Sequence, residues 1–197
     1  MVDLIDTNQA QPLVNYPYED VRSGTGLELY YLGMIAGDEI ISNNQFFSDD
    51  TFTHSNPGGT PGTYLDMDFD VTINRAITLR GVGIISIPFK TNNGQDLHLL
   101  AYLRKWNGTT ETLIATGTGK TFTSTGAGYE KMLGATFSIP TSTTIKKGEV
   151  LRVTINIVLE TGGYEFWICH DPFDTNEMGL IHVSSTAALQ LPIRIDV

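Results

Sequence analysis

The chain has 197 residues, enough for one domain with a sizeable core, and 12 Lys and Arg residues against 22 Asp and Glu residues, a net charge of −10. This charge argues against a partner bound through its phosphates, so no nucleic-acid partner is expected. No apolar run approaches the roughly 18 residues that a membrane helix needs, and no basic stretch precedes an apolar segment at the start. We therefore expect no membrane partner and no secretory signal. The single cysteine, Cys169, excludes an intrachain disulfide and a multi-cysteine zinc cluster.

The negative charge is concentrated at the start of the chain. Residues 1–74 hold one basic residue, Arg22, against twelve acidic residues, a net charge of −11. Residues 75–197 hold eleven basic residues against ten acidic residues, a net charge of +1. The acidic excess therefore belongs to the first third of the chain.

Residues 1–63 are predicted to form an N-terminal arm with loops. The stretches 6–26 and 42–63 have loop composition, and the second contains a run rich in proline and glycine. Between them, residues 27–36 fit either a short helix or one strand, and Gly33 and Gly37 favour the strand. Long loops without structure of their own are typically functional or become ordered on a partner. We therefore expect an assembly to hold this arm.

From residue 64 onward, apolar and polar residues alternate with a period of two, which indicates half-buried strands. Leu65, Met67 and Phe69 alternate with Asp66, Asp68 and Asp70 in this way. The predicted strands lie near 64–72, 76–87, 96–106, 110–116, 131–139, 149–159, 164–170 and 189–196. Eight short strands in one domain predict an all-β fold, an antiparallel β-sandwich with jelly-roll topology over residues 64–197.

Glycine-containing pairs separate the predicted strands. Asn93-Gly94, Asn107-Gly108 and Gly162-Gly163 are typical of the tight two-residue turns of hairpins. Lys147-Gly148, ahead of the strand near 149–159, is predicted to be a further tight turn.

The Asp66, Asp68 and Asp70 ladder is the first candidate site. Alternate residues on a strand share a face about 7 Å apart, and carboxylates at that spacing raise one another's pKa unless something compensates. Solvation on an open face is one alternative, and pairing with arginines of a neighbouring strand or subunit is another, with Arg75 and Arg80 close in sequence. Calcium, which prefers several carboxylate oxygens, is the weaker third alternative, and no other cofactor is expected. The ladder is predicted to be an interface, together with Tyr30 and Tyr31.

No enzymatic activity is expected. The possible members of a catalytic group are Cys169, His54, His98, His170 and His182, but Cys169 and His170 are adjacent on a predicted strand and should point to opposite faces. The sequence has no Gly-x-Ser-x-Gly and no His-Glu-x-x-His. The segment 170–177, with Asp171, Asp174, Asn176 and Glu177, is predicted to be a turn rather than a metal loop. The segment 117–121, GTGKT, resembles the end of a phosphate loop, but Ile114 occupies the position of the required glycine, so a flexible loop between strands is predicted.

Two tryptophans are candidate ligand contacts. Trp106 precedes the Asn107-Gly108 turn, and Trp167 follows the Gly162-Gly163 turn. Aromatic rings near loop tips can stack on sugar rings, although core packing is the commoner role of such residues. These residues support an alternative function as a carbohydrate-binding or receptor-binding module.

The stretch 141–155, TSTTIKKGEVLRVTI, resembles a segment of jelly-roll virion proteins of tailed phages, in which a Lys-Lys-Gly-Glu turn enters a long core strand. The resemblance covers about residues 64–197 and carries over no functional residue. It implies a non-enzymatic virion structural protein, a capsid cement or decoration protein on the capsid surface, made in the host cytoplasm and often trimeric. Its partners would be the major capsid protein or other virion proteins. Alternatives within the family are a head or tail fibre module and a tail or neck adaptor. The acidic arm would then dock on neighbouring subunits, and the ladder would be a second electrostatic contact.

Overall fold

The computed structural model describes residues 25–124, 128–161 and 165–194, which form twelve strands. Within these ranges, no helix is long and apolar enough to cross a membrane. The strands are β1 (Thr25–Ile35), β2 (Asp38–Ser42), β3 (Phe52–Ser55), β4 (Gly62–Thr72), β5 (Ile77–Thr91), β6 (Asp96–Trp106), β7 (Glu111–Thr118), β8 (Phe122–Thr123), β9 (Tyr129–Ile145), β10 (Val150–Thr161), β11 (Phe166–Cys169) and β12 (Ala188–Arg194).

The strands form a β-sandwich, and the prediction of an all-β fold is confirmed. In the first layer, β9, β5, β12, β1 and β2 are neighbours in that order, and β11 and β3 pair beside one end of β5. In the second layer the order is β4, β10, β6 and β7, with β8 beside β6. Every pairing is antiparallel except one parallel bridge between Ile40 and Asp70, which joins β2 to β4 and links the layers into one mixed sheet.

The core lies between the two layers and explains the period of two in the sequence. Leu32, Ile85 and Phe137 of the first layer and Phe69 and Val153 of the second have no more than 1% of their surface exposed. Burial of one such side chain stabilises the fold by about 1.5–3 kcal/mol relative to leaving it in water. All eight strands predicted from alternation are present, as β4 to β7 and β9 to β12, and β9 extends six residues beyond its predicted end.

Part of the predicted N-terminal arm belongs to the sandwich. β1 pairs with β12 from Thr25 to Tyr31 and with β2 from Tyr31 to Ile35, so the strand alternative for residues 27–36 is the one that the structure adopts. β2 and β3 also join the sheet. The partner of β1 lies at the other end of the chain, so no local pattern could reveal this pairing. Residues 1–24 lie outside the described residues. Eight of the twelve acidic residues of the first third are in residues 25–74 and thus on the sandwich.

Of the glycine pairs predicted to be turns that fall within the described residues, only Asn107-Gly108 closes a hairpin, and Ala36-Gly37 closes a further one between β1 and β2. Asn107-Gly108 joins β6 to its neighbour β7, and Gly108 has a φ of 94°. Asn93-Gly94 lies between β5 and β6, and Lys147-Gly148 lies between β9 and β10, and neither of these strand pairs is hydrogen-bonded. The hairpin prediction is therefore wrong for Asn93-Gly94, because a tight turn sets the local chain direction and not the strand that pairs next. The tight turn predicted at Lys147-Gly148 is present, since the Glu149 amide donates to the Lys146 carbonyl oxygen at 3.1 Å and Gly148 has a φ of 86°. Gly162-Gly163 lies outside the described residues.

Two glycines let the edge strand β7 approach β9. A Cβ atom at Gly119 would lie 2.5 Å from the carbonyl oxygen of Gly134, and one at Gly117 would lie 2.9 Å from that of Thr136. The Gly119 amide donates a hydrogen bond to the Leu99 carbonyl oxygen at 2.7 Å. The glycines of segment 117–121 are therefore explained by close backbone packing at the edge of the sandwich.

Candidate functional site

The outer face of the second layer carries the aspartate ladder. On β4, Met67 and Phe69 point into the core, so Asp66, Asp68 and Asp70 point outward. Strand register brings side chains of β10, β6 and β7 onto the same face. We call this set the charged face; it comprises Asp66, Asp68, Asp70, Tyr102, Arg104, Trp106, Glu111, Arg152, Thr154 and Asn156.

Arg152 of β10 is the centre of the charged face. Its Nε and Nη2 atoms each donate to Asp70 at 2.7 Å, a bidentate pair. Its Nη1 atom lies 3.1 Å from Asp68 Oδ2 and donates to Glu111 Oε1 at 3.1 Å. Hydrogen bonding to Asp70 raises the pKa of Arg152 further above its ordinary value. One guanidinium thus joins three carboxylates from two other strands.

Arg104 of β6 extends the network. Its guanidinium carbon lies 4.6 Å from the centre of the Tyr102 ring, a cation–π contact, and its Nε lies 3.6 Å from Glu111 Oε2. Arg104 also donates to the Thr154 hydroxyl, and that hydroxyl donates to Asp68 Oδ1 at 2.5 Å. The four carboxylates and two guanidiniums leave a formal charge of −2 on the charged face.

The ladder is compensated within its own sheet. The arginines that the structure pairs with Asp68 and Asp70 are Arg152 and Arg104, whereas Arg75 and Arg80, the partners suggested by sequence proximity, are exposed elsewhere. Asp66 is exposed and accepts from Asn156 Nδ2 at 3.5 Å. Across the described ranges, no group of three or more His, Cys, Asp and Glu side chains is arranged to hold a metal ion.

A hollow of about 360 Å³ lies beside Arg152 on the charged face. Its lining is Trp106, Thr109, Glu111 and Arg152, and 40% of Trp106 is exposed. Trp106 and Glu111 are a cross-strand pair of β6 and β7. The hollow therefore offers an aromatic surface next to a carboxylate, a guanidinium and a hydroxyl, groups that can bind a polar ligand.

The second tryptophan lies on a different part of the molecule. Trp167 of β11 stacks on His54 of β3, with ring centres 4.9 Å apart, and His54 Nε2 lies 2.8 Å from Glu165 Oε1. Trp106 and Trp167 therefore do not form one ligand site, because they stand on different layers.

Tyr30 and Tyr31 have different surroundings. Tyr30 is 5% exposed and belongs to the core, so it is not available as the surface contact that the sequence predicted. Its hydroxyl donates to Glu28 at 3.1 Å, and burial, followed by the Glu28 charge, raises its pKa. Tyr31 is partly exposed on the outer face of the first layer.

The histidines and the cysteine form no nucleophile–base pair in the described residues. Cys169 and His170 are both buried; the thiol donates to the Thr51 carbonyl oxygen at 3.0 Å, and His170 Nε2 lies 2.9 Å from the Thr53 hydroxyl. Burial raises the pKa of Cys169 to about 12 and lowers that of His170 to about 4. His98 pairs with Glu160 at the surface, 2.9 Å apart.

The loop after β11 is organised by a buried carboxylate. Asp171 is 1% exposed and accepts hydrogen bonds from the Phe173, Thr175 and Asn176 amides and from the Ser185 hydroxyl, at 2.5–3.2 Å. Segment 170–177 is therefore a turn, one of the two readings weighed from sequence. The sequence missed the role of Ser185, because it joins the turn from fourteen residues away.

Comparison with known proteins gives the fold and nothing finer. No protein-family model matches the sequence, and no curated protein matches it. A CocE/NonD family hydrolase from Staphylococcus aureus is 14% identical to this chain, with a TM-score of 0.56. The match covers 87% of this chain and 37% of the hydrolase chain. An α-amino acid ester hydrolase is 11% identical with a TM-score of 0.53, over 85% and 36%. An aminopeptidase from a Thaumarchaeota archaeon of marine sediment is 7% identical with a TM-score of 0.51, over 83% and 36%. The chain thus spans little more than a third of these hydrolases, and the likeness shows a shared sandwich.

Proposed function

We propose that this chain is a non-enzymatic structural protein of a virion, which binds the capsid surface and its own copies through interfaces rather than through chemistry. The observation that carries the proposal is the state of its ionisable groups. On the charged face Asp68, Asp70 and Glu111 are paired with arginines, and beside β11 the histidine, thiol and carboxylate are buried and bonded within the fold. Within the described residues, neither Cys169 nor a histidine forms a nucleophile–base pair, which supports a role without catalysis.

The segment that carries the family resemblance has a position that supports the proposal. Residues 141–155 run from the end of β9 through a tight turn into β10, where the Glu149 amide donates to the Lys146 carbonyl oxygen at 3.1 Å. β10 lies between β4 and β6, and Leu151, Val153 and Ile155 are buried. This is the arrangement that the resemblance implies, a Lys-Lys-Gly-Glu turn that enters a core strand.

The electrostatic part of the proposal now involves two regions. Residues 1–24 carry four acidic residues and Arg22, a net charge of −3, and they precede β1 directly. The charged face carries −2 on a rigid sheet. We propose that both regions contact basic surface of neighbouring capsid subunits, where complementary charge guides docking and orientation.

The test is co-sedimentation of the protein with capsid particles that lack it. A variant without residues 1–24 keeps Thr25, the first residue paired with β12, so its sandwich should stay folded while particle binding is lost. A full-length control with Asp3, Asp6, Glu19 and Asp20 changed to Asn or Gln separates charge from chain length. Undiminished binding of the truncated protein, folded by circular dichroism, would refute the docking role of residues 1–24.

The second candidate function is binding of a carbohydrate, favoured by the hollow at Trp106. A sugar ring can stack on the exposed indole while its hydroxyls bond to Glu111, Arg152 and Thr109. Glycan-array binding and quenching of tryptophan fluorescence by the bound sugar test this function. Binding should be lost in Trp106→Ala and kept in Trp167→Phe, the matched control on the other layer. Equal binding by both variants would rule out the hollow as the sugar site.

A further inference from the structure

The chain contains two Asn-Gly pairs, and the structure holds them in different ways. Asn93-Gly94 lies between β5 and β6, and Asn107-Gly108 lies between β6 and β7. In such a pair the backbone nitrogen of the glycine can attack the asparagine side chain, because glycine has no side chain to obstruct the approach. The product is a succinimide, a cyclic imide that water opens to aspartate or isoaspartate. The hydrogen bonds around each pair decide how fast this reaction proceeds.

The Asn107 side chain is tied into its turn. Its Oδ1 atom accepts hydrogen bonds from the backbone amides of Thr109 and Thr110 at 3.0 and 2.9 Å. The Asn107 amide donates to the Thr110 carbonyl oxygen at 3.4 Å, and Gly108 has a φ of 94°. Ring closure requires the carboxamide to turn toward the Gly108 nitrogen, which costs the bonds to Oδ1. The fold therefore protects Asn107.

The Asn93 side chain is free to turn toward its neighbour. It is exposed and forms no hydrogen bond with the described part of the chain. The Gly94 residue is exposed as well, and its amide has no hydrogen-bond acceptor among the described residues. The two reacting groups, the carboxamide carbon and the backbone nitrogen, are therefore open to each other and to water.

The carbonyl oxygen of Asn93, in contrast, is bound by buried hydroxyl groups. The Ser124 hydroxyl donates to it at 2.6 Å, and Ser124 is 3% exposed. The Thr91 hydroxyl lies 3.2 Å from the same oxygen and 3.2 Å from the Glu165 carbonyl oxygen, so its single proton is shared between them. The Ser124 amide donates to the Gln95 carbonyl oxygen at 2.9 Å, which fixes Ser124 beside the connection.

The hydrogen bond from Ser124 assists formation of the ring. When the Gly94 nitrogen loses its proton to hydroxide, peptide resonance places part of the negative charge on the Asn93 carbonyl oxygen, where the Ser124 hydroxyl stabilises it. The nitrogen then forms a bond to Asn93 Cγ, and the bond from Cγ to the side-chain nitrogen breaks. The side-chain nitrogen leaves as ammonia with a proton taken from water, which restores the hydroxide.

The same hydrogen bond directs the opening of the ring. Water adds to the main-chain carbonyl carbon of Asn93, and the Ser124 hydroxyl stabilises the oxyanion that forms there. The bond from this carbon to the Gly94 nitrogen breaks, the nitrogen takes one proton of the water, and the new carboxyl group releases the other. The product is isoaspartate, whose main chain runs through Cγ.

We propose that Asn93-Gly94 is a site of spontaneous modification, at which the fold promotes conversion of Asn93 to isoaspartate with Ser124 as the catalytic residue. The conversion adds one negative charge to the −10 of the protein and one main-chain atom to a connection between the two layers. Asn92 Nδ2 donates to Glu165 Oε2 at 3.2 Å, so the new carboxylate forms close to an existing one. This inference does not depend on the proposed virion role.

The test compares the two Asn-Gly pairs in the folded protein and in the same protein unfolded in guanidinium chloride. Both samples are kept at mildly alkaline pH, and digestion followed by mass spectrometry gives the aspartate and isoaspartate at each pair over time. The two pairs should react at similar rates in the unfolded chain. In the folded protein Asn93 should react faster than in the unfolded chain, and Asn107 should react at least about tenfold more slowly than Asn93. A rate at Asn93 that folding leaves unchanged or lowers would overturn the proposal.

Ser124→Ala tests the assigned catalytic residue. Loss of the 2.6 Å hydrogen bond should slow the reaction at Asn93 by about tenfold and lower the share of isoaspartate in the product. Asn107 in the same sample is the internal control, and its rate should not change. If circular dichroism shows that Ser124→Ala does not fold, Ser124→Cys takes its place, and its weaker donor should give a smaller decrease. An unchanged rate and product ratio at Asn93 in the folded variant would overturn the role of Ser124.

Discussion

His170 links the stability of the sandwich to pH. The side chain is 1% exposed, and its Nε2 atom lies 2.9 Å from the Thr53 hydroxyl. Its Nδ1 atom is buried without a hydrogen-bond partner. The centre of the Phe69 ring lies 5.9 Å from the centre of the imidazole, in an edge-to-face arrangement. The imidazole is therefore held neutral. The informative perturbation is His170→Gln, which keeps a polar group near Thr53 and cannot gain a proton.

The sign and size of the effect follow from the two pKa values of the imidazole. Burial lowers the pKa of His170 from 6.5 to about 4 in the folded protein, while the unfolded chain keeps the ordinary value. Between these values the unfolded chain binds the extra proton, so this contribution to stability is complete above pH 6.5 and is lost as pH falls toward 4. The gap between 6.5 and about 4 corresponds to about 3 kcal/mol.

Urea unfolding at a series of pH values from 7 to 4.5 measures the effect. The wild type should lose about 2–3 kcal/mol more of its unfolding free energy over this range than His170→Gln does. Carboxylates titrate in both proteins and cancel in the difference. The control for the loss of an imidazole as such is His182→Gln, at an exposed position. Parallel curves for the wild type and His170→Gln would refute the buried neutral imidazole.

Three further predictions concern the charged face, the sandwich edge and the thiol. Arg152→Met should lower the unfolding free energy by about 1–2 kcal/mol, because three carboxylates lose their shared partner. This loss should be smaller in 1 M salt, and a loss that does not depend on salt would contradict an electrostatic origin. Gly119→Ala should lower the unfolding free energy, measured by heat or urea, by about 1–3 kcal/mol, because the added methyl group clashes with the Gly134 carbonyl oxygen. Gly62→Ala is the control, since the nearest side-chain atom to its methyl group would be 3.5 Å away, and it should lower the unfolding free energy by less than about 1 kcal/mol. Cys169 should react with a thiol reagent at pH 8 only as fast as the protein unfolds, since its thiol is buried with a pKa of about 12; rapid labelling of folded protein would contradict this.

The sandwich could be predicted from sequence because its strands alternate without interruption. The same core is contacted by Met67 and Phe69 of β4 and by Leu151 and Val153 of β10. The alternation that identifies each strand does not depend on which strand pairs with it. β2, β3 and β8 are two to five residues long, too short for alternation to distinguish them from loop. The pairing order could not be predicted either, because β1 meets β12 across almost the full length of the chain.

The candidate site shows the same division between local pattern and distant pairing. The outward direction of the Asp66–Asp70 ladder follows from alternation, and the need for compensation follows from charge. The compensating arginine is 82 residues from Asp70 in sequence, so proximity suggested Arg75 instead. The hollow at Trp106 depends on the same distant strand, since β10 brings Arg152 beside β6 and β7.

The central claim, that the chain is a structural component of a virion, is tested most directly by quantitative mass spectrometry of purified particles from cells that produce this protein. The proposal predicts that the protein sediments with intact particles at a fixed copy number relative to the major capsid protein, in the hundreds for a protein that decorates the shell. A protein found only in the soluble fraction, and absent from washed particles, would contradict the proposal.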